Sequence, residues 1–533
     1  MLADPQSAIY AKLRELYSDD EQVERAAEFC GEAVDEFGRV YGTDRQAVIV
    51  RATGRINLMG MHIDHRGGSV NPIAIKEVFF VAEPREDDTI VIRNVEDDAY
   101  PEERFRIREC LPEGKIRDWD RWSHEELEKR KNDLSITWSN YVRAAVLYLQ
   151  HLHTRDDGTF DPTLRGMNVM VYGSIPRAAG LSTSSSIVVA SLDAALRING
   201  LTLEGKDFID ACGTGEWYVG TRGGSGDHAA IKFGRPNSIL HMKSLPLAVK
   251  TLPFPAGYKI VLANSLVEAK KQAGARDAFN SRVASYIFGL MLTRKRFPEY
   301  APKLERLRDI NPTNLGIDDR AMYEILRALP ERATREEVLT MLPDEEESVR
   351  HVFRSHAEPP DGYKIRQVCL FGIAECIRSD MAAAFLHHGD IQGFGDLINI
   401  SHEGDRLSRP EGDKRVPVDG SIPDEKIDSL IADLESGDTD RVERARFWRQ
   451  PGGYECSCEE IDVLVDAAMS VEGTIAARLV GAGLGGSMMA IVREEQAQSV
   501  IDQMVADYYG PRYLRKAIEV VQPVGGAGVI EVD

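Results

Sequence analysis

The stretch Gly173-Ser-Ile-Pro-Arg-Ala-Ala-Gly-Leu-Ser-Thr-Ser-Ser-Ser186 decides how this chain is read. An apolar strand pattern, residues 167–172, runs into it, and a strong helical pattern, residues 184–199, runs out of it. A strand that turns into a helix through Gly and Ser can aim several unpaired N–H groups of the helix start at one anion. Gly180 permits a tight backbone path close to a ligand. Ser182, Thr183, Ser184, Ser185 and Ser186 add hydroxyls that donate hydrogen bonds or ligate a cation. The Gly-Lys-Ser/Thr ending of a Walker A loop is missing. A Ser-rich helix cap would look the same, because Ser and Thr favour caps.

Three more clusters flank it. Gly54-Arg-Ile-Asn-Leu-Met-Gly-Met-His-Ile-Asp-His-Arg-Gly-Gly68 gathers Arg55, His62, Asp64 and His65 among four glycines. Short polar side chains on such a turn suit a hydroxylated ligand. The His-x-Asp-His run is not read as a metal site, since no second ligand cluster accompanies it. Glu216-Trp-Tyr-Val-Gly-Thr-Arg-Gly-Gly-Ser-Gly-Asp-His228 places one carboxylate before a Gly-rich loop and another, Asp227, at its end. Phosphoryl transfer needs a charge-neutralising metal, a positioned acceptor and a carboxylate to take the acceptor's proton. Glu216 and Asp227 could divide the metal and proton tasks, although a solvated acid at a loop edge is the commoner role of either. Leu479-Val-Gly-Ala-Gly-Leu-Gly-Gly-Ser-Met-Met-Ala-Ile-Val492 is a glycine turn between two apolar segments and lacks the spacing of a dinucleotide fingerprint.

The 533 residues carry 65 basic and 86 acidic side chains, a formal charge of −21. Such a surface repels nucleic acid and anionic membranes, while a small anion can still be held in a local pocket. No run of about 18 apolar residues and no basic leader with an apolar core is seen, so neither a membrane span nor a secretion signal is expected. Seven scattered cysteines read as free thiols of a reducing cytoplasm. Helices are expected within residues 1–46 and over 137–152. Strands are expected at 47–50, 78–82, 89–93 and 260–263, with helical patterns dominating 283–445. Residues 97–133, 343–358 and 410–449 are polar and poor in apolar anchors, and are expected to be irregular. This irregular mixture gives an α+β class with two lobes, residues 1–255 and 256–533.

Taken in order, the glycine-bearing clusters resemble the three motifs of the GHMP small-molecule kinases. GRINLMGMHIDHRGG is similar to the galactokinase signature GRxNLxGEHxDYxxG. Trp138-Ser-Asn-Tyr-Val142, Phe279-Asn-Ser-Arg282 and the segment Tyr454–Asp462 extend the likeness along most of the chain, with residues 290–450 longer than in typical members. The resemblance implies a ribosomal-protein-S5-domain-2-like first lobe and a ferredoxin-like second lobe with helical insertions, holding ATP and sugar between them. It implies Asp227 as the base for the anomeric hydroxyl, with Arg55 beside it. Ser184 and Glu216 would hold Mg2+. Pro176, Ala179, Gly180, Leu181, Ser182, Thr183, Ser184, Ser185 and Ser186 would wrap the triphosphate. His62, Asp64 and Phe279 would meet the sugar, and Gly481, Gly483 and Gly485 would close the pocket. The partners implied are a sugar and ATP, with no obligate protein partner.

Two departures bear on the sugar. Met61 stands where the family has Glu, and a thioether is no strong acceptor. Kinases of galacturonic acid also lack that Glu, and Arg66 or Lys76 could serve a carboxylate. His228 replaces the Gln that usually follows the base, and the 216–228 and 279–282 elements are closer to N-acetylgalactosamine kinases. A non-catalytic sugar sensor, or a kinase of mevalonate or homoserine type, are the competing readings.

Overall fold

In the computed structural model, residues 7–96, 98–130, 138–176, 179–220, 225–244, 246–268 and 275–531 are described. Their strands are numbered in chain order: β1 Val48–Asn57, β2 Pro72–Pro84, β3 Thr89–Asn94, β4 Glu103–Arg106, β5 Met167–Gly173, β6 Ser238–Ser244, β7 Leu247–Pro253, β8 Tyr258–Asn264, β9 Ser408–Glu411, β10 Lys414–Pro417, β11 Thr474–Leu479, β12 Ser487–Arg493, β13 Ile518–Val521 and β14 Gly528–Ile530.

Two sheets organise the molecule. The first has the order β14-β1-β2-β5-β3-β4, and the second β11-β12-β8-β13. The first is antiparallel except where β3 runs parallel to β5. The strand period explains its layers. Phe80, Ala82 and Val171 face the helices Ser139–Leu152 and Thr183–Asn199, whereas Phe79, Val81 and Met170 face the N-terminal helices Ala8–Leu16 and Asp20–Tyr41. Both faces are covered, so β2 is an almost unbroken apolar run. In the second sheet Val261, Ala263, Met488 and Ala490 pack on the helix Glu459–Met469, and the opposite face, with Ile260, Leu262 and Met489, joins the core of the first sheet. The helical stretch between β8 and β11 builds a further core of its own around Tyr286, Tyr323, Phe371 and Tyr454.

Three expectations need correction. Residues 97–133 include β4 and the helix Trp119–Arg130, with residues 97 and 131–133 outside the described set. Residues 343–358 contain the helix Glu346–Phe353, anchored by a single buried residue, Val349. Residues 410–449 hold the end of the β9–β10 hairpin and the helices Asp424–Leu434 and Thr439–Arg444. Ile427 and Ile431 bury the first of these helices, and the Asp438 carboxylate caps the second. Among the described residues no helix is long and apolar enough to cross a membrane.

Candidate active site

The site grows from a bulge. The register of β1 against β2 shifts between Ala52 and Gly54, and a bulge re-aims the residues beside it. A Cβ on Gly54 would lie 2.9 Å from the Leu181 carbonyl oxygen, so only glycine lets β1 meet the Ser-rich turn this closely. The Arg55 backbone N–H then donates to the Leu181 carbonyl at 3.1 Å. Its guanidinium reaches over the turn, where Nη1 donates to the Gly180 carbonyl at 2.7 Å. Nε and Nη2 grip Asp227 in a two-pronged ion pair at 2.6 and 2.7 Å, the planar match that makes Arg–carboxylate pairs strong. Asp227 sits in the first turn of the helix Gly226–Phe233, where the backbone dipoles favour a negative charge. Ser182, in a left-handed conformation with φ 59°, donates its hydroxyl to the same carboxylate.

The turn is tied down on its other side. Ser186 donates to the Thr53 carbonyl of β1 at 2.6 Å, and Thr183 to the Pro176 carbonyl at 3.1 Å. Ser185 lies against Glu216, its hydroxyl 3.4 Å from Oε2, and His228 Nε2 is 3.0 Å from the same oxygen. Burial and then the Glu216 charge push the Tyr141 phenol up, while a hydrogen bond with Ser184 pulls it back. Tyr141 therefore stands between Ser184 and Glu216. Above the turn lies the glycine loop joining β11 to β12. A Cβ on Gly180 would sit 2.9 Å from the Val480 carbonyl oxygen, and one on Gly481 2.9 Å from Gly180 Cα. Both glycines have φ +79°, and Gly483 and Gly485 are left-handed as well. The two loops thus meet backbone to backbone and leave peptide groups, not side chains, facing a ligand.

Asp64 faces the start of the Asp227 helix: a Cβ on Gly226 would be 3.7 Å from its Oδ2. Burial alone would raise the Asp64 carboxyl. A hydrogen bond and charge from His65, whose Nδ1 is 3.2 Å away, outweigh it with the Arg55 charge behind and hold Asp64 at about 2. The Phe279 ring lies 6.5 Å from the His65 ring. His62 is turned inward, stacked on Tyr454 at 4.2 Å, with Nε2 3.3 Å from Asp405 Oδ1. Met61 is buried among the apolar residues of the second sheet. Lys76 is held by Glu519 at 2.7 Å. Arg66 is different: its Nε is buried without a hydrogen bond among the described residues. Burial pulls its pKa down, against the charges of Tyr286, Tyr454 and Asp64.

Of the sequence-selected residues, Arg55, Asp64, Gly180, Leu181, Ser182 and Asp227 meet directly. Ser184, Ser185 and Glu216 form a second group on the same turn. Arg177, Ala178 and residues 221–224, which belong to two of the motifs, lie outside the described residues. Sequence reasoning placed Tyr141 in the Trp138–Val142 motif without giving it a role, and gave none to Tyr286, Glu375 or Asp405, which are dispersed single residues with no local pattern to mark them.

An oxygen-only set such as a Ser hydroxyl and a Glu carboxylate suits Mg2+, which prefers one or two protein oxygens and keeps water or phosphate on its other positions. Among the described residues no group of three His, Cys, Asp or Glu suited to a transition metal is present.

Comparison with known proteins places the class first. The GHMP kinases N terminal domain model matches residues 140–235 and the GHMP kinases C terminal model residues 430–510, so the chain carries both GHMP kinase domains. It also carries the galactokinase galactose-binding signature over residues 35–83. The galactokinase of Roseiflexus sp. (strain RS-1) is 25% identical over 500 residues, covering 93% of this chain and 96% of that one. The Dictyostelium discoideum galactokinase is 24% identical over 538 residues, covering 94% and 91%. The structure of Lactococcus lactis galactokinase complexed with galactose shares the fold, with a TM-score of 0.64 at 20% identity over 93% of this chain and 99% of that one.

Proposed function

We propose that this chain is an ATP-dependent kinase that phosphorylates the anomeric hydroxyl of galactose or a galactose-type sugar. The observation that carries the reading is the Arg55–Asp227 pair, locked to the carbonyl of Gly180 in the Ser-rich turn and facing Asp64. ATP supplies the phosphoryl group; Ser184 and Glu216 would hold Mg2+, which would supply charge neutralisation when bound. Asp227 accepts the proton of the C1 hydroxyl as that oxygen bonds to the γ-phosphorus, and the bond from γ-phosphorus to the β,γ-bridging oxygen breaks to release ADP. Arg55 holds the carboxylate in line and offsets developing negative charge. The N–H groups and hydroxyls of Ala179–Ser186, with Pro176 at the turn's entry and Gly481, Gly483 and Gly485 above, cradle the phosphates. Asp64 and Phe279 orient the sugar; His62, assigned to the same task from the sequence, is turned inward onto Tyr454 and Asp405 and supports the loop from beneath. The free thiols suit a reducing cytoplasm.

One observation favours a second acceptor. Arg66 is a cation without a hydrogen bond at Nε near Asp64, and Met61 offers no acceptor for a hydroxyl. A galactose-type sugar with a carboxylate at C6 would find its counter-charge there, whereas Lys76 is already paired.

The test is an ADP-release assay over galactose, N-acetylgalactosamine, galacturonate, arabinose, mevalonate and homoserine. Turnover of a galactose-type sugar is expected. Asp227→Asn should lower kcat by about a thousandfold, a typical loss of general-base catalysis, while ATP binding by calorimetry stays within a few-fold. ADP release from mevalonate or homoserine alone would refute the acceptor. Tight sugar and ATP binding without turnover would instead mark a sensor.

A further inference from the structure

The long helical stretch between β8 and β11 and the strand that follows it send four fully buried charged groups toward the underside of the Gly60–Asp64 loop. Glu375 and Arg378 come from the helix Ile365–His387, Asp405 from the helix Ile391–Asp405, and Arg478 from β11. Glu375 Oε1 accepts the backbone N–H groups of Gly60 at 3.1 Å and Met61 at 2.8 Å, and the Ser401 hydroxyl at 2.8 Å. Its Oε2 accepts from Arg378 Nε at 3.1 Å, and Arg378 Nη1 donates onward to the Trp448 and Gln450 carbonyls. Asp405 stands between Arg478 Nη2, at 3.6 Å, and His62 Nε2, at 3.3 Å, held by charge alone, since neither carboxylate oxygen has a hydrogen bond among the described residues.

Buried ions persist only where opposite charge and hydrogen bonds replace lost water. Here they hold a loop that its own backbone does not favour. Gly60 has φ +92°, and His62, a non-glycine residue, has φ +60°. A carboxylate that collects two successive loop N–H groups fixes the path of the chain, and a buried one facing a ring nitrogen at 3.3 Å restrains the tilt of the imidazole by its charge. Asp64 lies two residues beyond His62 on the same loop.

We propose that Glu375 and Asp405 are positioning residues of the sugar site: Glu375 sets the loop backbone at Gly60–Met61, and Asp405 sets the His62 ring, so that Asp64 is presented to Asp227. The helical stretch thereby becomes a working part of sugar recognition instead of a passive insertion. This rests on the kinase reading above.

The experiment compares KM for the best-used sugar with KM for ATP. Asp405→Asn and Glu375→Gln should each raise the sugar KM at least tenfold and leave the ATP KM within twofold. Ser401→Ala, which removes one neutral donor from Glu375 and keeps every charge, should raise the sugar KM about threefold and remains informative where the charge variants do not fold. Because Asp405 acts through His62, Asp405→Asn should change the sugar KM less than twofold in a His62→Gln background. Equal rises in both KM values, independent multiplicative effects of Asp405→Asn and His62→Gln, or an unchanged sugar KM in folded variants would each overturn the proposal. Should the wild-type chain release no ADP from any sugar, the kinase reading fails by itself. Galactose affinity measured by calorimetry on the same variants then decides the positioning roles.

Discussion

Arg55 illustrates how one side chain can join two motifs 125 and 172 positions away, by donating to Gly180 and to Asp227. It could be picked as a candidate from the sequence, because a cation on a Gly-rich turn is rarely needed for packing. Its partners were not, since ion pairing at such separations depends on the path of the chain. Asp64 is the titratable group of the site with a defined value, about 2. A depressed folded-state pKa contributes stability that is complete above the unfolded value near 4 and is lost as pH falls toward 2. The contribution should be about 1–2 kcal/mol, reduced by the partial exposure of the side chain. His65→Asn removes the largest of the opposing influences, so it should raise the Asp64 pKa toward 4 and shrink the stability lost between pH 4 and 2. Carboxyl carbon NMR and acid-denaturation curves check this; an Asp64 pKa unchanged in the variant would contradict the assigned cause.

At the level of elements, the Ser-rich turn and the 481–486 loop work as a pair. In isolation the first could pass for a Ser-rich helix cap and the second for a glycine turn, and their mutual contact arises only because β12 pairs with β8 and carries its loop against Ala179 and Gly180. Gly481→Ala forces a Cβ at φ +79° against Gly180 Cα. The strain should cost about 1–3 kcal/mol. It should also raise the ATP KM more than the sugar KM, as thermal unfolding and steady-state kinetics can measure. Two of the elements that sequence reasoning missed share a cause. The helices Glu346–Phe353 and Thr439–Arg444 are short and carry one buried residue or none. Apolar periodicity is the signal a helix leaves in a sequence, and these two carry almost none of it; the second is capped by Asp438. The strong apolar patterns at 78–82, 184–199 and 260–263 were read correctly because both faces of those elements are buried.

For the whole molecule, the last strand matters most. β14 returns to the first sheet and pairs with β1, and Arg51 of β1, fully buried, donates to the Gly525 carbonyl at 2.8 Å and to the Tyr17 hydroxyl at 2.7 Å. Deleting residues 523–533 uncovers the edge of β1 and removes the carbonyls that Arg51 uses. An uncompensated buried cation costs about 3–5 kcal/mol. The truncated chain should therefore lose hydrogen-exchange protection across β1 and β2 as well as ATP turnover. Protection that stayed intact in β1 would show that the closing strand is dispensable. For the same reason a fragment ending at residue 255 should not fold alone, despite containing three of the four signature clusters.

By itself the sequence determined the groups available: a Ser- and Gly-rich turn suited to an anion, a carboxylate at a helix start, a cation on a Gly-rich turn and a loop of short polar side chains, each written in consecutive residues because turns and caps are local. Only the tertiary structure decided which of these groups meet. It also showed that carboxylates from a distant helical stretch lie under the sugar loop, and that the chain closes on its own first sheet. Those relations join residues hundreds of positions apart, and their geometry follows from sheet pairing and core packing, which no short stretch of sequence encodes.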